Sequence, residues 1–296
     1  MSDSVILSVD AGGTFLKAAL SRPDGSLLSG TFLRVPVDSN GTAEEISAAY
    51  RSLARQAGEH ADLLGGTISA AAVCIPGPFR YEDGVCMMTH KYAGIYGIPM
   101  RPWFQEFLGE IPITFLHDST AFLLGAAGED DRRHYRRICG AIIGTGLGFA
   151  SMIDGKILQN AQGGPGISIF SRPFRESTAE DYVSKRAIEH SYHRLRPDTP
   201  VPSVAEIAES ARAGDPCAQR AFSELGDSLG LILRDICAEN RFELLLLGGA
   251  ISKSADLFLP SLQAAMSGRW SPEIRAVSNA DDVPLFGAVK AASGDF

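Results

Sequence analysis

A strand that stops at an acid, two glycines and a threonine constrains this chain more than any other feature. Val5-Ile6-Leu7-Ser8-Val9 is an apolar run of the kind that fills a buried strand. It ends at Asp10-Ala11-Gly12-Gly13-Thr14. A second run, Phe15-Leu16-Lys17-Ala18-Ala19-Leu20, follows at once as the expected hairpin partner. Glycines let backbone approach a bulky anion, and free N–H groups can cradle phosphate. An acid at a strand end suits Mg²⁺, which takes one or two carboxylates and keeps most of its waters. Thr14 adds a hydroxyl donor. The turn is not a Walker loop, because the Gly-Lys-Ser/Thr ending is missing. Taken alone, it reads equally as a glycine hairpin with an ordinary acid beside it.

A second copy favours the phosphate reading. Arg137 to Ala150 repeats the design: an apolar strand, the turn Gly144-Thr145-Gly146, and another apolar strand. A third apolar strand, Leu244-Leu245-Leu246-Leu247, runs into Gly248-Gly249-Ala250. Three strand–glycine junctions suggest a nucleotide clamped between two related domains. In these motifs the sequence resembles the actin-like ATPase superfamily and, more closely, the ROK sugar kinases (repressor, open reading frame, kinase). The resemblance covers nearly the whole chain in the right order. It implies an α/β fold of two actin-like ATPase (ribonuclease H-like) domains with a nucleotide cleft between them. Residues 1–118 plus 283–296 would form the small N-terminal domain, and 119–282 the larger C-terminal one.

Composition narrows the partners. The 296 residues are 45% hydrophobic and 21% charged, enough for two domains. Net charge is −8 and the pI about 5.3, so nucleic acid is not an expected partner. The one basic cluster, Arg132-Arg133-His134-Tyr135-Arg136-Arg137, follows three acids and reads as a solvated loop before a strand. Cysteines 74, 86, 139, 217 and 237 form no C-x-x-C pair and suit burial in a reducing cytoplasm. The chain shows no signal peptide and no 18-residue apolar run, so no membrane association is expected.

Between the glycine turns the elements read in order. Ser26–Val37 reads as strand, and a helix is expected from Thr42-Ala43-Glu44-Glu45 to about Gly58. The buried strand Ile68–Ile75 must open into a loop at Pro76-Gly77-Pro78. Trp103–Leu108 reads as a short helix and Ile111–Leu116 as a strand delivering His117-Asp118-Ser119-Thr120, with a helix from Thr120 to Ala127. Later helices are expected at 205–213, 216–237 and 283–292. A carboxylate at a strand-to-helix junction faces the ligand crevice in an α/β domain. A hydroxyl nucleophile needs a base there, and Asp118 is the candidate. A helix N-cap is the other reading of Asp118, although Ser119 could serve that role as well.

The resemblance assigns further roles. It puts Gly77 and Pro78 in the sugar-site wall and makes the aspartate of the family's Asn-Asp pair, here Asp118, the base. Gly12, Gly13, Thr14, Gly144, Thr145 and Gly146 would hold ATP phosphates, and Gly248 and Gly249 would flank adenosine. Asp10 would hold Mg²⁺ through water, and Lys17 would stabilise phosphate charge or simply sit on the hairpin. Glu180 matches a sugar-contacting glutamate and could equally be an acid favoured at a helix start. The chain also departs from the family. His90 would substitute for a sugar-contacting asparagine or be an ordinary loop histidine, and His117 replaces the asparagine before the base. The Glu-x-Gly-His that follows the second glycine-rich turn is absent, with Ile167 and Phe170 in those places. The cysteine cluster is absent too, so no structural zinc is expected. The implied activity is ATP- and Mg²⁺-dependent phosphorylation of a hydroxyl on a sugar or sugar derivative, by a homodimer. The alternative is a sugar- or nucleotide-sensing protein of the same fold. A DNA-binding repressor is not expected, because the chain starts at the first phosphate strand.

Overall fold

The computed structural model describes residues 3–198, 200–268, 270–278 and 282–294. The outermost residues of the expected N-terminal domain, 1–2 and 295–296, lie outside them.

The chain opens with β1 (Asp3–Ala11), β2 (Phe15–Ser21) and β3 (Leu33–Pro36), then α1 (Ala43–Leu63) and β4 (Gly66–Cys74). A two-residue hairpin, β5 (Phe79–Arg80) and β6 (Val85–Cys86), precedes α2 (Arg101–Leu108) and β7 (Ile113–Leu116). Next come α3 (Asp118–Ala126), α4 (Glu129–His134), β8 (Arg137–Ile143), β9 (Leu147–Ile153) and β10 (Lys156–Ile157). The hairpin β11 (Pro173–Phe174) and β12 (Ser177–Thr178) leads into α5 (Ala179–Tyr182), α6 (Lys185–Leu195), α7 (Val204–Arg212) and α8 (Pro216–Asn240). The chain closes with β13 (Leu244–Gly248), α9 (Ala255–Met266), β14 (Glu273–Ala276) and α10 (Val283–Ala292).

These elements form two units. The first runs through Ala126 and adds Gln159–Gly166 and the segment from Asp282; the second is Ala127–Leu158 with the chain from Ile167 up to that segment. The break expected at 118/119 thus falls after Ala126. The physical reason is α3, which packs on α10, whose Lys290 Nζ donates to the carbonyl of Leu124 at 2.8 Å.

In the first unit the sheet order is β3-β2-β1-β4-β7. The β1–β2 and β2–β3 pairs are antiparallel, and β1–β4 and β4–β7 parallel. Val5, Leu7 and Val9 of β1 share a core with Ile46, Tyr50, Leu53 and Ala57 of α1. Helix α1 starts at a capping box. Glu45 N–H donates to Thr42 Oγ1, and Thr42 N–H returns to Glu45 Oε2 at 2.8 Å.

The second unit repeats the plan as β10-β9-β8-β13-β14, again a meander followed by two parallel pairs. Its core joins Cys139, Ala141 and Ile143 of β8 to Leu245 and Leu247 of β13, under Phe222, Leu225, Leu229 and Leu233 of α8. Asp215 caps α8 by accepting the Cys217 N–H at 2.9 Å, with Pro216 at the first helical position. Cys74, Cys86, Cys139 and Cys237 are buried thiols; Cys217 is half-buried. No helix among the described residues is long and apolar enough to cross a membrane.

Two expectations are corrected locally. The strand expected over Ser26–Val37 shrinks to β3. Leu28 N–H donates to Leu20 O and Leu20 N–H to Thr31 Oγ1, so the intervening residues turn instead of pairing. The basic cluster is not wholly loop. Glu129–His134 forms α4, with acids in its first turn, basic residues in its last, and an Arg133–Glu129 ion pair at 2.9 Å.

Candidate active site

Three parallel strands of the first unit end together, and each hands over a site residue. Asp10 of β1 is level with Cys74 of β4, and Cys74 with Leu116 of β7. Neighbouring strands lie about 4.8 Å apart, so Asp10 and the residues after Leu116 sit on one sheet edge about 10 Å apart. Burial pushes the Cys74 thiol well up, and the charges of Asp10 and Asp118 add to it from either side. The ends of parallel strands are where α/β sheets bind ligands.

Asp10 is half-buried and level with Lys17 across the β1–β2 pair. In the turn that follows, every carbonyl is spent on the protein. Gly12 O accepts the Tyr92 hydroxyl at 2.6 Å, Gly13 O accepts Ser39 N–H at 3.0 Å, and Thr14 O accepts Val37 N–H at 3.0 Å. Gly12 N–H closes the hairpin onto Phe15 O at 3.1 Å. The N–H groups of Gly13 and Thr14 and the Thr14 hydroxyl have no protein partner among the described residues. This is a fixed set of donors left for an anion. Tyr92 is fully buried. Burial pushes its phenol up to about 12, with the Asp10 charge adding, so it stays a donor to the turn.

Asp118 begins α3. The carbonyl of His117 accepts Ala121 N–H at 2.9 Å, so His117 supplies the cap and Asp118 lies inside the first turn. Its Oδ1 takes two short contacts, His117 Nδ1 at 2.7 Å and Ser119 N–H at 2.6 Å. Its Oδ2 has no protein partner among the described residues, and the side chain is 47% exposed. Burial alone would raise the carboxyl. His117, through its charge and its hydrogen bond, the Ser119 N–H and the Lys91 charge outweigh burial and hold it below its ordinary 3.8. Asp118 is therefore a carboxylate with one oxygen fixed and one open.

The loop residues surround this edge unevenly. Gly77, joined to Pro78 by a cis peptide bond, follows the end of β4. The Tyr81 hydroxyl donates to Ile75 O at 3.1 Å, and the Tyr81 ring meets His117 edge-on at 6.1 Å. His90 is exposed, and no contact ties it to Asp118. Its neighbours matter more. Lys91 acts on Asp118 by charge, and Tyr92 holds Gly12. Sequence reasoning gave no role to Lys91 and Tyr92. The signal was their position, just where the chain leaves the family pattern.

In the second unit the Gly144-Thr145-Gly146 turn joins β8 to β9. Gly144 N–H donates to Gly146 O at 3.0 Å, and Gly144 O accepts Lys185 N–H at 2.8 Å. Leu147 N–H donates to Glu180 Oε2 at 3.0 Å, while Arg186 lies 3.6 Å from Glu180 Oε1. A Cβ on Gly146 would run into that carboxylate, so a side chain there would displace the Glu180 head group. Glu180, expected at the substrate, thus braces this turn. Gly248 is level with Ile142, and Gly249 (φ +84°) lies so close to the Ile143 carbonyl that a side chain has no room.

Among the described residues no group of three His, Cys, Asp or Glu is placed to hold a metal. Asp10, one hard carboxylate beside donors for phosphate, suits an ion held through its own waters, as Mg²⁺ is.

Comparison with known proteins places the chain in a family. The model of the ROK family matches residues 6–168, more than half of the chain. The glucokinase of Thermotoga maritima is 21% identical over 96% of this chain and 95% of its own length. An N-acetyl-D-glucosamine kinase of Yersinia pseudotuberculosis is 24% identical over 84% of each chain. The crystal structure of a ROK family glucokinase from Streptomyces griseus, in complex with glucose and AMPPNP, superimposes with a TM-score of 0.78 at 21% identity, covering 98% of this chain and 99% of its own. A ROK family transcriptional regulator, a homologue of the E. coli MLC protein, superimposes at 0.80 and 20% identity over 99% of this chain and 79% of its own. At these identities the structural likeness speaks for the fold, which is the α/β fold of the ROK sugar kinases.

Proposed function

This chain belongs to the ROK family, and from that premise we propose that it is an ATP-dependent carbohydrate kinase with Asp118 as general base. The observation that carries the reading is the state of Asp118: an ionised carboxylate, one oxygen pinned and the other open, on the sheet edge that also bears Asp10. The acceptor hydroxyl donates to Asp118 Oδ2 and attacks the γ-phosphorus of ATP. Its proton passes to Asp118, and ADP leaves. Phosphoryl transfer asks a protein for positioning and charge more than for strong bases, so a carboxylate of low pKa suffices.

The N–H groups of Gly13 and Thr14 hold phosphate oxygens in the first unit, and Thr145 and Gly146 do so in the second, in a turn that Gly144 closes through its N–H to Gly146 O. Gly248 and Gly249 flank adenosine. Asp10 would hold Mg²⁺ through water, and the ion would offset phosphate charge. Lys17, level with Asp10, helps to offset that charge. Gly77, Pro78, His90 and His117 line the acceptor side, and Glu180 acts there through the turn it braces.

The test is ADP release with Mg-ATP against hexoses, amino sugars and N-acylated sugars, with Asp118→Ala as control. Turnover that depends on Asp118 supports the kinase. A second reading, a ligand sensor with little catalysis, has the likeness to the regulator and the lost Glu-x-Gly-His in its favour. Sugar or ATP binding in calorimetry without turnover would select it.

A further inference from the structure

We propose that His117 is a positioning residue for the base: it carries its proton on Nδ1, gives that hydrogen to Asp118 Oδ1, and so fixes the carboxylate with Oδ2 presented to the acceptor. The word base rests on the kinase reading; the proton placement does not.

The chemistry of the two groups determines the tautomer. Asp118 is an anion and can only accept. Nδ1 stands 2.7 Å from its Oδ1, a distance that needs a hydrogen between them. A bare Nδ1 would instead face the carboxylate lone pair to lone pair. Ser119 N–H lies 2.6 Å from Oδ1 and 3.2 Å from Nδ1, so it belongs to the carboxylate. The Ser119 hydroxyl, 2.8 Å from Nδ1, shares the ring hydrogen. With Nδ1 committed, the neutral ring keeps a bare Nε2.

The ring is held as well as bonded. The His117 side chain is 18% exposed, its ring packs T-shaped with that of Tyr81, and its Cδ2 lies 3.5 Å from where a Cβ on Gly77 would stand. The titratable groups around the pair are few. Asp118 is on the same turn. Tyr81, from the loop after β4, stays neutral because burial pushes its phenol well up. Cys74 at the end of β4 is a buried thiol, and Lys91 from the loop before α2 is a cation. The χ2 torsion of an aspartate is soft and two-fold, so an unpinned carboxylate samples many orientations. A pinned one is already aligned for the incoming hydroxyl, and misplacement by about 1 Å can cost about 100-fold in rate.

The experiment has two arms. Protein labelled with ¹⁵N-histidine is read by long-range ¹H–¹⁵N NMR near neutral pH, with His117→Asn to assign the resonance. Nδ1 protonated and Nε2 bare is the expected pattern. A ring protonated on Nε2 with Nδ1 bare overturns the proposal, whether or not the protein is a kinase. In the second arm, the pH dependence of kcat/KM is compared for wild type, His117→Asn and His117→Leu on a sugar the wild type phosphorylates. The leucine variant loses about 10- to 100-fold in kcat, its acid limb moves to higher pH, and asparagine, which keeps a donor, restores most of kcat. A leucine variant with wild-type kcat and an unmoved acid limb overturns the proposal. Absence of wild-type turnover on every sugar contradicts the kinase reading alone and leaves the NMR arm to decide.

Discussion

Asp118 is held as a carboxylate by neighbours on one side and left open on the other, and both facts have consequences. Asp118→Asn keeps the shape but removes the acceptor for the proton. It is expected to lower kcat by about 10² to 10⁴ while changing KM little, in steady-state assays on a confirmed substrate. The same carboxyl couples to stability. Its folded pKa is depressed, so its contribution is fully present above the ordinary 3.8 and is lost as pH falls through the lower folded value. Urea titrations across the acid range should show that loss in wild type and a flatter curve in Asp118→Asn. The position of Asp118 was legible, because an apolar strand followed by a small-residue helix puts it at a strand-to-helix junction. Its pairing with His117 was not. The sequence sets them side by side, but the 2.7 Å contact is a matter of rotamers and of Tyr81 packing from another loop.

At the scale of elements, the second glycine turn and Glu180 behave as one device. Gly146→Ala puts a methyl into the Glu180 carboxylate and is expected to cost about 1–3 kcal/mol, as Leu147 N–H loses its partner. In a Glu180→Ala background the same change should cost measurably less. Additive losses in the double-mutant cycle would show that the two do not meet. Gly249→Ala fails differently. The backbone there is left-handed and the Ile143 carbonyl blocks a side chain, so about 1–3 kcal/mol is lost in denaturant melts whatever stands at Glu180. The strands and turns at 5–20 and 137–150 were readable because hairpins are local and their periodicity is strict. The failures were also physical. Ser26–Val37 is apolar enough for a strand but is diverted by Thr31, whose side chain takes a ladder donor. Helix α4 is too short for periodicity to show, and only the order of its charges, acids before bases, betrays it.

The whole molecule is one plan used twice, and each unit closes its own core. The duplication was visible in the repeated strand–glycine–strand design. The seam was not, because α3 begins at Asp118 without a break from β7 and is claimed by the first unit through α10, more than 150 residues later. The two tryptophans report the units separately: Trp103 in the first, and Trp270, whose indole N–H donates to Phe242 O, in the second. Leu247→Ala, a cavity in the second core, should cost about 2–5 kcal/mol and lower the denaturant midpoint read by Trp270 in a Trp103→Phe background. An unchanged midpoint would mean that Leu247 is not core.

The central claim is that this chain moves a phosphoryl group from ATP to a sugar hydroxyl with Asp118 as the base. The most direct test is ³¹P NMR of wild type and Asp118→Asn incubated with Mg-ATP and each sugar of the panel in turn. A new phosphate monoester resonance is expected with one class of sugar, growing as the γ-phosphate signal falls, and absent with Asp118→Asn. A monoester that grows equally fast with Asp118→Asn would contradict the role of the aspartate. No monoester with any sugar, from protein that binds ATP, would contradict the kinase.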